Sequence, residues 1–300
     1  MKNKKILVVV GGPKHKLDPF LEAGKNLGID VVTASFSQIN YESKGKFVLK
    51  VDDIDIAEFD VIYIRMIGKR LEDATLLVSY AKEKGIRLVD RFFETADMMP
   101  LSLGKSIETK KLIEWGVSLP KTYFASIKKI RENAEEKIGF PYLIKSTTGK
   151  KAREVWLPKT KSELEELLGD LEKQERKGMR FFATEFVKSS QRIRVFVLGG
   201  RIIGAITRPT KWRKRFIKKV GGEFPEGEKK SLNIIPRDVS EISIQAANAL
   251  GVDIAGVDIL KEDKSGKLYV IEVNAAPAWK LVANDTGLNI EEEILKYLLD

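Results

Sequence analysis

Cysteine is absent from the 300 residues and histidine occurs once, as His15. The first absence removes a disulfide framework, a thiolate nucleophile and any cysteine-based metal site. The second argues against His-dependent zinc sites and Ser–His triads, and His15 itself reads as a surface loop residue. Long apolar runs are missing too. The N-terminal MKNKKILVVVGG carries lysines and a run too short for a bilayer, lacks a small-residue cleavage site, and continues as a βα unit. A soluble, cytoplasmic chain with no membrane partner is therefore expected. No zinc finger, KH loop or aromatic RNA-recognition motif is present, so the net charge of +10 suits nucleotide phosphates and acidic substrates better than nucleic acid. Abundant Lys and Glu with little Gln leans toward a thermophilic source.

What remains is enough apolar content, 43%, for two or three packed lobes. The most informative stretch runs from Leu250 to Pro277, LGVDIAGVDILKEDKSGKLYVIEVNAAP. AGVDIL reads as one strand, KEDKSGK as a turn, and LYVIEVN as a second strand. Strict alternation in the second puts Tyr269, Ile271 and Val273 on one face and Val270, Glu272 and Asn274 on the other. Antiparallel pairing across the turn then brings Asp258 beside Glu272 and Asn274. Two carboxylates and an amide on one face form a hard oxygen site suited to Mg²⁺ carrying phosphate. The bland alternative is a hairpin with a polar solvated side.

GVDIL followed by IEVNAAP resembles the metal-binding hairpin of ATP-grasp enzymes, with RimK-like glutamate ligases and LysX-type ligases as the nearest groups. TGLNIEEEILKYL is similar to the family's closing turn and last helix. The implied fold is mixed α/β and α+β. An N-terminal open α/β domain (1–100) precedes two α+β lobes (101–187 and 188–300) that sandwich the nucleotide. ATP and Mg²⁺ or Mn²⁺ are the implied cofactors, with the metal on Asp258, Glu272 and Asn274.

The rest of the chain extends the match. ILVVV is a strand buried on both faces, and DPFLEAGKNLG is a helix ending at Gly28. IDVVTASF, KFVLKVDD and FDVIYIRM are further strands of a mostly parallel sheet, and TLLVSYAKEKG is a helix closed by Gly85. Arg65, in IRMIG, lies at a carboxyl strand end where ligands collect; it receives an anionic substrate group or is a solvated arginine. The resemblance makes Lys105, opening a helix from about Ser106 to Trp115, a phosphate-binding lysine. It likewise makes Lys145, at the end of PYLIK, the lysine of a hairpin lid with Gly149 in its loop. The relatives' glycine-rich loop is here Gly149-Lys150-Lys151-Ala152-Arg153-Glu154, with only the first glycine kept. Leu164, Leu167, Leu168 and Leu171 form a packing stripe. Backbone groups of Glu185, Phe186 and Val187 are the implied readers of adenine.

RIRVFVLGGRIIGAITRP signals a hairpin at Gly199-Gly200. Arg192 stands where relatives carry an acid for the ribose, and arginine cannot accept those hydrogen bonds. Arg194 matches the family's arginine. In the basic run that follows, Arg215 and Gly221-Gly222 fit the family's catalytic loop, with Ile217 replacing its asparagine. That reading is favoured over a nucleic-acid patch carrying Trp212 and Phe216. DVSEISIQAANALGVDI is a helix with Asp or Ser at its N-cap.

The resemblance implies an ATP-dependent carboxylate–amine ligase working through an acyl-phosphate, with Arg194 and Arg215 catalytic and glutamate or another amino acid as the amine. Its implied partners are ATP, a carboxylate and that amine. RimK-like enzymes often assemble as homo-oligomers, although nothing in this sequence reports an interface. An ATP-grasp kinase, a degenerate nucleotide-binding regulator and a nucleic-acid module are the alternatives.

Overall fold

The structure, a computed structural model, describes residues 4–43, 47–95, 104–147, 154–209, 230–232 and 234–300. The chain opens with β1 (Lys5–Val10), α1 (Asp18–Leu27) and β2 (Asp30–Ser35). Then come β3 (Ile39–Ser43), β4 (Phe47–Val51), β5 (Ile54–Asp55), β6 (Val61–Met66), α2 (Leu71–Glu83), β7 (Arg87–Val89) and the short α3 (Phe92–Thr95). Four of these strands form an all-parallel sheet in the order β2-β1-β6-β7. Its centre is apolar on both faces because both are covered. Ile6, Val8 and Val10 pack on one side; Leu7 and Val9 pack on the other with Leu77 and Val78 of α2.

KFVLKVDD departs from expectation. β4 lies in a separate antiparallel sheet, β3-β4-β5. Leu49 and Val51 are buried while Val48 and Lys50, on the other face, are only partly so, which suits a strand covered on one side only.

The second unit is antiparallel. After α4 (Lys105–Glu114) come β8 (Thr122–Phe124), α5 (Ile127–Ile138), β9 (Tyr142–Ser146), β10 (Val155–Trp156), α6 (Lys161–Glu175) and β11 (Phe181–Glu185), with sheet order β10-β9-β11-β8. Leu164, Leu168 and Leu171 of α6 are buried against Ile127, Ile130 and Ala134 of α5, with Leu167 partly buried beside them.

The third unit contains β12 (Gln191–Leu198), β13 (Arg201–Pro209), β14 (Lys230–Ser231), α7 (Arg237–Leu250), β15 (Ile254–Lys261), β16 (Leu268–Asn274), α8 (Lys280–Thr286) and α9 (Ile290–Leu299). The β12–β13 hairpin turns through Gly199 and Gly200, at φ 54° and 76°, as the glycine pair predicts. The sheet runs β14-β13-β12-β15-β16. One face, with Ile193, Val195, Val257 and Ile259, is buried under α7 and the Leu112 end of α4. Contrary to expectation, Pro236 occupies the N-cap of α7 without a side-chain cap. Asp238 instead lies in the first turn, where its charge complements the helix dipole.

Polar and apolar contacts tie the first and third units together. The Asp90 carboxylate accepts from the backbone N–H groups of Asp253 and Ile254, both at 2.8 Å. α9 packs Ile290, Ile294 and Leu298 into the core that contains Val8 and Tyr63. Among the described residues, no helix is long and apolar enough to cross a membrane.

Candidate active site

The second face of the five-stranded sheet changes character along its length. On β12, Arg192, Arg194, Phe196 and Leu198 share this face, since strand side chains alternate. Phe196 and Leu198 are buried with Ile254 and Trp279 in the core shared with the first unit. Arg194 sits opposite Asp258, and Asp258 opposite Glu272. The polar end of the face is the candidate site.

A register shift between Asp258 and Ile259 makes this arrangement. Ile259 pairs with Val270, whereas Asp258 pairs with Glu272, so Ile271 is an extra residue on β16. A bulge of this kind re-aims side chains. Strict alternation therefore fails here: Val270 and Val273 both join the apolar core, while Glu272 and Asn274 face the site with Asp258. The Asn274 amide nitrogen donates to Gly256 O at 3.5 Å, which leaves its oxygen for the site.

Asp258 is fully buried and held by two arginines. Arg194 binds it bidentately, Nε to Oδ1 at 2.8 Å and Nη2 to Oδ2 at 2.7 Å. Arg192 donates to the same Oδ2. Burial pushes the Asp258 carboxyl up, but the hydrogen bond from Arg194 and the two guanidinium charges outweigh it and hold it below its ordinary value. Arg192 thus carries out a role on this face that the sequence did not reveal.

Lys105, at the start of α4, points its Nζ at Glu108 Oε2 (3.0 Å) and Glu272 Oε1 (3.4 Å). Burial works against its charge, yet the carboxylates of Glu108 and Glu272 more than compensate and its pKa is raised. Glu108 is a residue that sequence reasoning missed. It is 6% exposed, and its Oε1 accepts from the Val273 N–H at 3.1 Å, between Glu272 and Asn274. The available signal was the Lys-x-x-Glu spacing on one helix face.

Lys145 reaches the same cluster from β9. Burial, then the positive charge of Lys105, lowers its pKa to about 8, with Arg192 adding to the effect and Glu272 and Glu108 opposing it. Lys105 of α4, Lys145 of β9, the arginines of β12 and the carboxylates thus meet at one place.

Arg65 is not a solvated strand-end cation. Its Nη2 donates to Pro277 O at 2.6 Å and its guanidinium lies 3.9 Å from the Trp279 ring centre. Trp279 Nε1 donates to Glu291 at 2.8 Å. The segment after Asn274 is thereby pinned to the first unit. Gly256 permits this, since a Cβ there would come within 2.7 Å of the Pro277 Cβ. In the segment that the resemblance assigned to adenine, the Glu185 N–H already donates to Lys121 O at 2.8 Å, so that donor belongs to the strand. Phe186 and Val187 follow directly, the latter with its side chain buried. Gly149 and Arg215, with Trp212, Phe216, Ile217 and Gly221-Gly222, lie outside the described residues.

The donor chemistry fits a hard cation. Glu272, 39% exposed at its side chain, and the Asn274 oxygen are oxygen donors on one face, with Asp258 beside them. Among the described residues there is no group of three or more acidic or histidine side chains placed to hold an ion by themselves.

The model of the RimK-like ATP-grasp domain matches residues 104–298. This chain belongs to the RimK-like ATP-grasp family. A protein named "Probable alpha-L-glutamate ligase" from Trichodesmium erythraeum is 29% identical over 195 residues, 61% of this chain and 59% of that protein. N-acetylaspartylglutamate synthase A of Mus musculus is 29% identical over 244 residues, 77% of this chain and 59% of its own length. The chain spans 59%, 40% and 54% of the lengths of the first curated relatives it matches. Among solved structures, the ATP-grasp ligase PsnB complexed with minimal precursor has a TM-score of 0.73 at 17% identity, covering 99% of both chains. The RimK domain ATP-grasp protein of Sphaerobacter thermophilus has a TM-score of 0.70 at 16% identity, covering 99% of this chain and 100% of that one. This chain shares the ATP-grasp fold with both of these structures.

Proposed function

We propose that this protein is an ATP-dependent carboxylate–amine ligase that forms an amide or peptide bond. The observation that carries the reading is the meeting of Lys105, Lys145, Arg194, Asp258, Glu272 and Asn274 at one end of one sheet face, drawn from all parts of an ATP-grasp chain. Such a cluster can neutralise and align a triphosphate. That suits a reaction driven by positioning and electrostatics.

In the proposed sequence a substrate carboxylate oxygen attacks the γ-phosphorus of ATP. The bond from that phosphorus to the bridging oxygen breaks, giving an acyl-phosphate and ADP. The amine then attacks the acyl carbon, phosphate leaves with the electron pair of the C–O bond, and the amine proton passes to solvent. Lys105 and Lys145 hold phosphate oxygens, and Arg194 fixes Asp258 against the same charge. Glu272 and Asn274, with Asp258 behind them, would hold Mg²⁺ or Mn²⁺, which supplies further neutralisation of phosphate charge when bound. Phe186 and Val187 read the adenine edge in this proposal. Gly149 in the lid and Arg215 on the transferred group complete the set assigned from sequence. Arg65, clamped on Pro277 and Trp279, sets the loop beyond Asn274 and flanks the acceptor. Relatives named for glutamate ligation and N-acetylaspartylglutamate synthesis support glutamate or another amino acid as the amine. The cytoplasm, which supplies ATP and amino acids, is the proposed location.

The test is incubation of the full chain with ATP, Mg²⁺, glutamate and a panel of carboxylates, with products read by mass spectrometry. Amide, ADP and phosphate in equal amounts are expected. ADP with a stable phosphorylated hydroxyl product and no amide would replace the ligase with a kinase.

A further inference from the structure

We infer that Arg192 supplies the charge that a second metal ion would otherwise supply, so that the site takes its nucleotide with a single divalent cation seated on Glu272 and Asn274. The inference rests on the nucleotide reading above and adds to it the number of metals and the residue that sets it.

Three carboxylates among the described residues bring their oxygens to the site. Glu108 is committed, Oε1 to the Val273 N–H and Oε2 to Lys105. Asp258 accepts from Arg194 on both oxygens and from Arg192 on Oδ2, at zero exposure. A bidentate arginine pair with a second guanidinium on one oxygen occupies most of the lone-pair directions of that carboxylate. Only Glu272, 39% exposed, with its neighbour Asn274 keeps open donor space. One open carboxylate and one amide oxygen supply protein donors for one cation, whose remaining positions go to phosphate oxygens and water.

Charge gives the same answer independently. Among the described residues, Lys105, Lys145, Arg192 and Arg194 face Glu108, Asp258 and Glu272, four cations against three anions. A triphosphate carrying one divalent cation is still an anion and complements that surplus, whereas with two it is close to neutral. Arg192 is also placed to act directly. A third of its side chain is exposed, and one hydrogen bond to Asp258 leaves further N–H groups of its five-donor fork for phosphate oxygens.

The experiment counts Mn²⁺ bound by the full chain in the presence of saturating ADP, by electron paramagnetic resonance, alongside ADP affinity. One Mn²⁺ per bound ADP is expected for the wild type. Arg192→Asp, which removes the cation and adds an oxygen donor beside Asp258, should take up a second. Arg192→Gln should stay at one Mn²⁺ and lose about tenfold in ADP affinity. Should the aspartate variant fail to fold by circular dichroism, the glutamine variant decides. Two Mn²⁺ on the wild type, or an Arg192→Gln protein with wild-type ADP affinity, overturns the inference while leaving the ligase reading intact. Absence of any ADP binding by the wild type overturns both.

Discussion

The two faces of the β12–β15 strand pair are built from alternate residues of the same segments, yet they obey different rules. On one side Ile193, Val195, Val257 and Ile259 fill a core that many neighbours share. On the other, Arg192, Arg194 and Asp258 depend on one another by name. An apolar face tolerates loss in proportion to the volume removed, whereas a buried charged set fails when one member goes. The comparison teaches where this fold has put its specificity. It lies in a few interdependent charges on a sheet whose reverse side supplies the stability.

Removing the shared anion should break the charged face most severely. Asp258→Ala leaves two guanidinium groups uncompensated and should cost about 3–5 kcal/mol in denaturant unfolding. Val257→Ala, one residue away but on the opposite face, should cost roughly 2 kcal/mol and leave nucleotide affinity as it was. Equal penalties, or a loss of nucleotide binding from the valine change, would show that the two faces are not separable. Gly256→Ala probes the seam between them, since the added methyl meets Pro277. It should cost about 1–2 kcal/mol and weaken Mg²⁺-dependent ADP binding through the displaced loop. Unaltered metal dependence in titration would remove the Arg65–Pro277 clamp from the account.

The smallest expected effect is a proton. Lys145, with its pKa lowered to about 8, is half neutral at that pH in the free protein. Phosphate favours the charged form, so nucleotide binding at pH 8 should take up about half a proton, read from calorimetry in buffers of different ionisation enthalpy. The sign for folding follows from the same shift. From about 8 up to the ordinary lysine value the unfolded chain binds the proton and the folded one does not, so stability rises with pH across that window. Lys145→Met should abolish both the uptake and this slope.

The β15–β16 hairpin was legible in the sequence because a turn between two patterned strands specifies local pairing. Asp258 and Glu272 do face each other. The bulge at Ile271 was not, since alternation carries no record of a skipped residue. Long-range partners were also hidden. Arg192 could be seen as a change of charge, but its bond to Asp258 depends on the β12–β15 register across 66 residues of chain. Glu108 looked like one more surface acid on a helix until packing buried it against β16. Arg65 was placed correctly at a strand end, but Trp279, which stacks on it, lies 214 positions later, out of reach of any local pattern. The antiparallel placement of β4 followed from half-buried alternation that could equally have suited a sheet edge.

The charged face should grip a metal-bound nucleotide. Isothermal titration of a non-hydrolysable ATP analogue, with and without Mg²⁺, into wild type and Glu272→Ala tests it most directly. The wild type should bind at least about tenfold more tightly with Mg²⁺ than without, and the variant should lose that difference. Equal, Mg²⁺-dependent affinity in both proteins would contradict it.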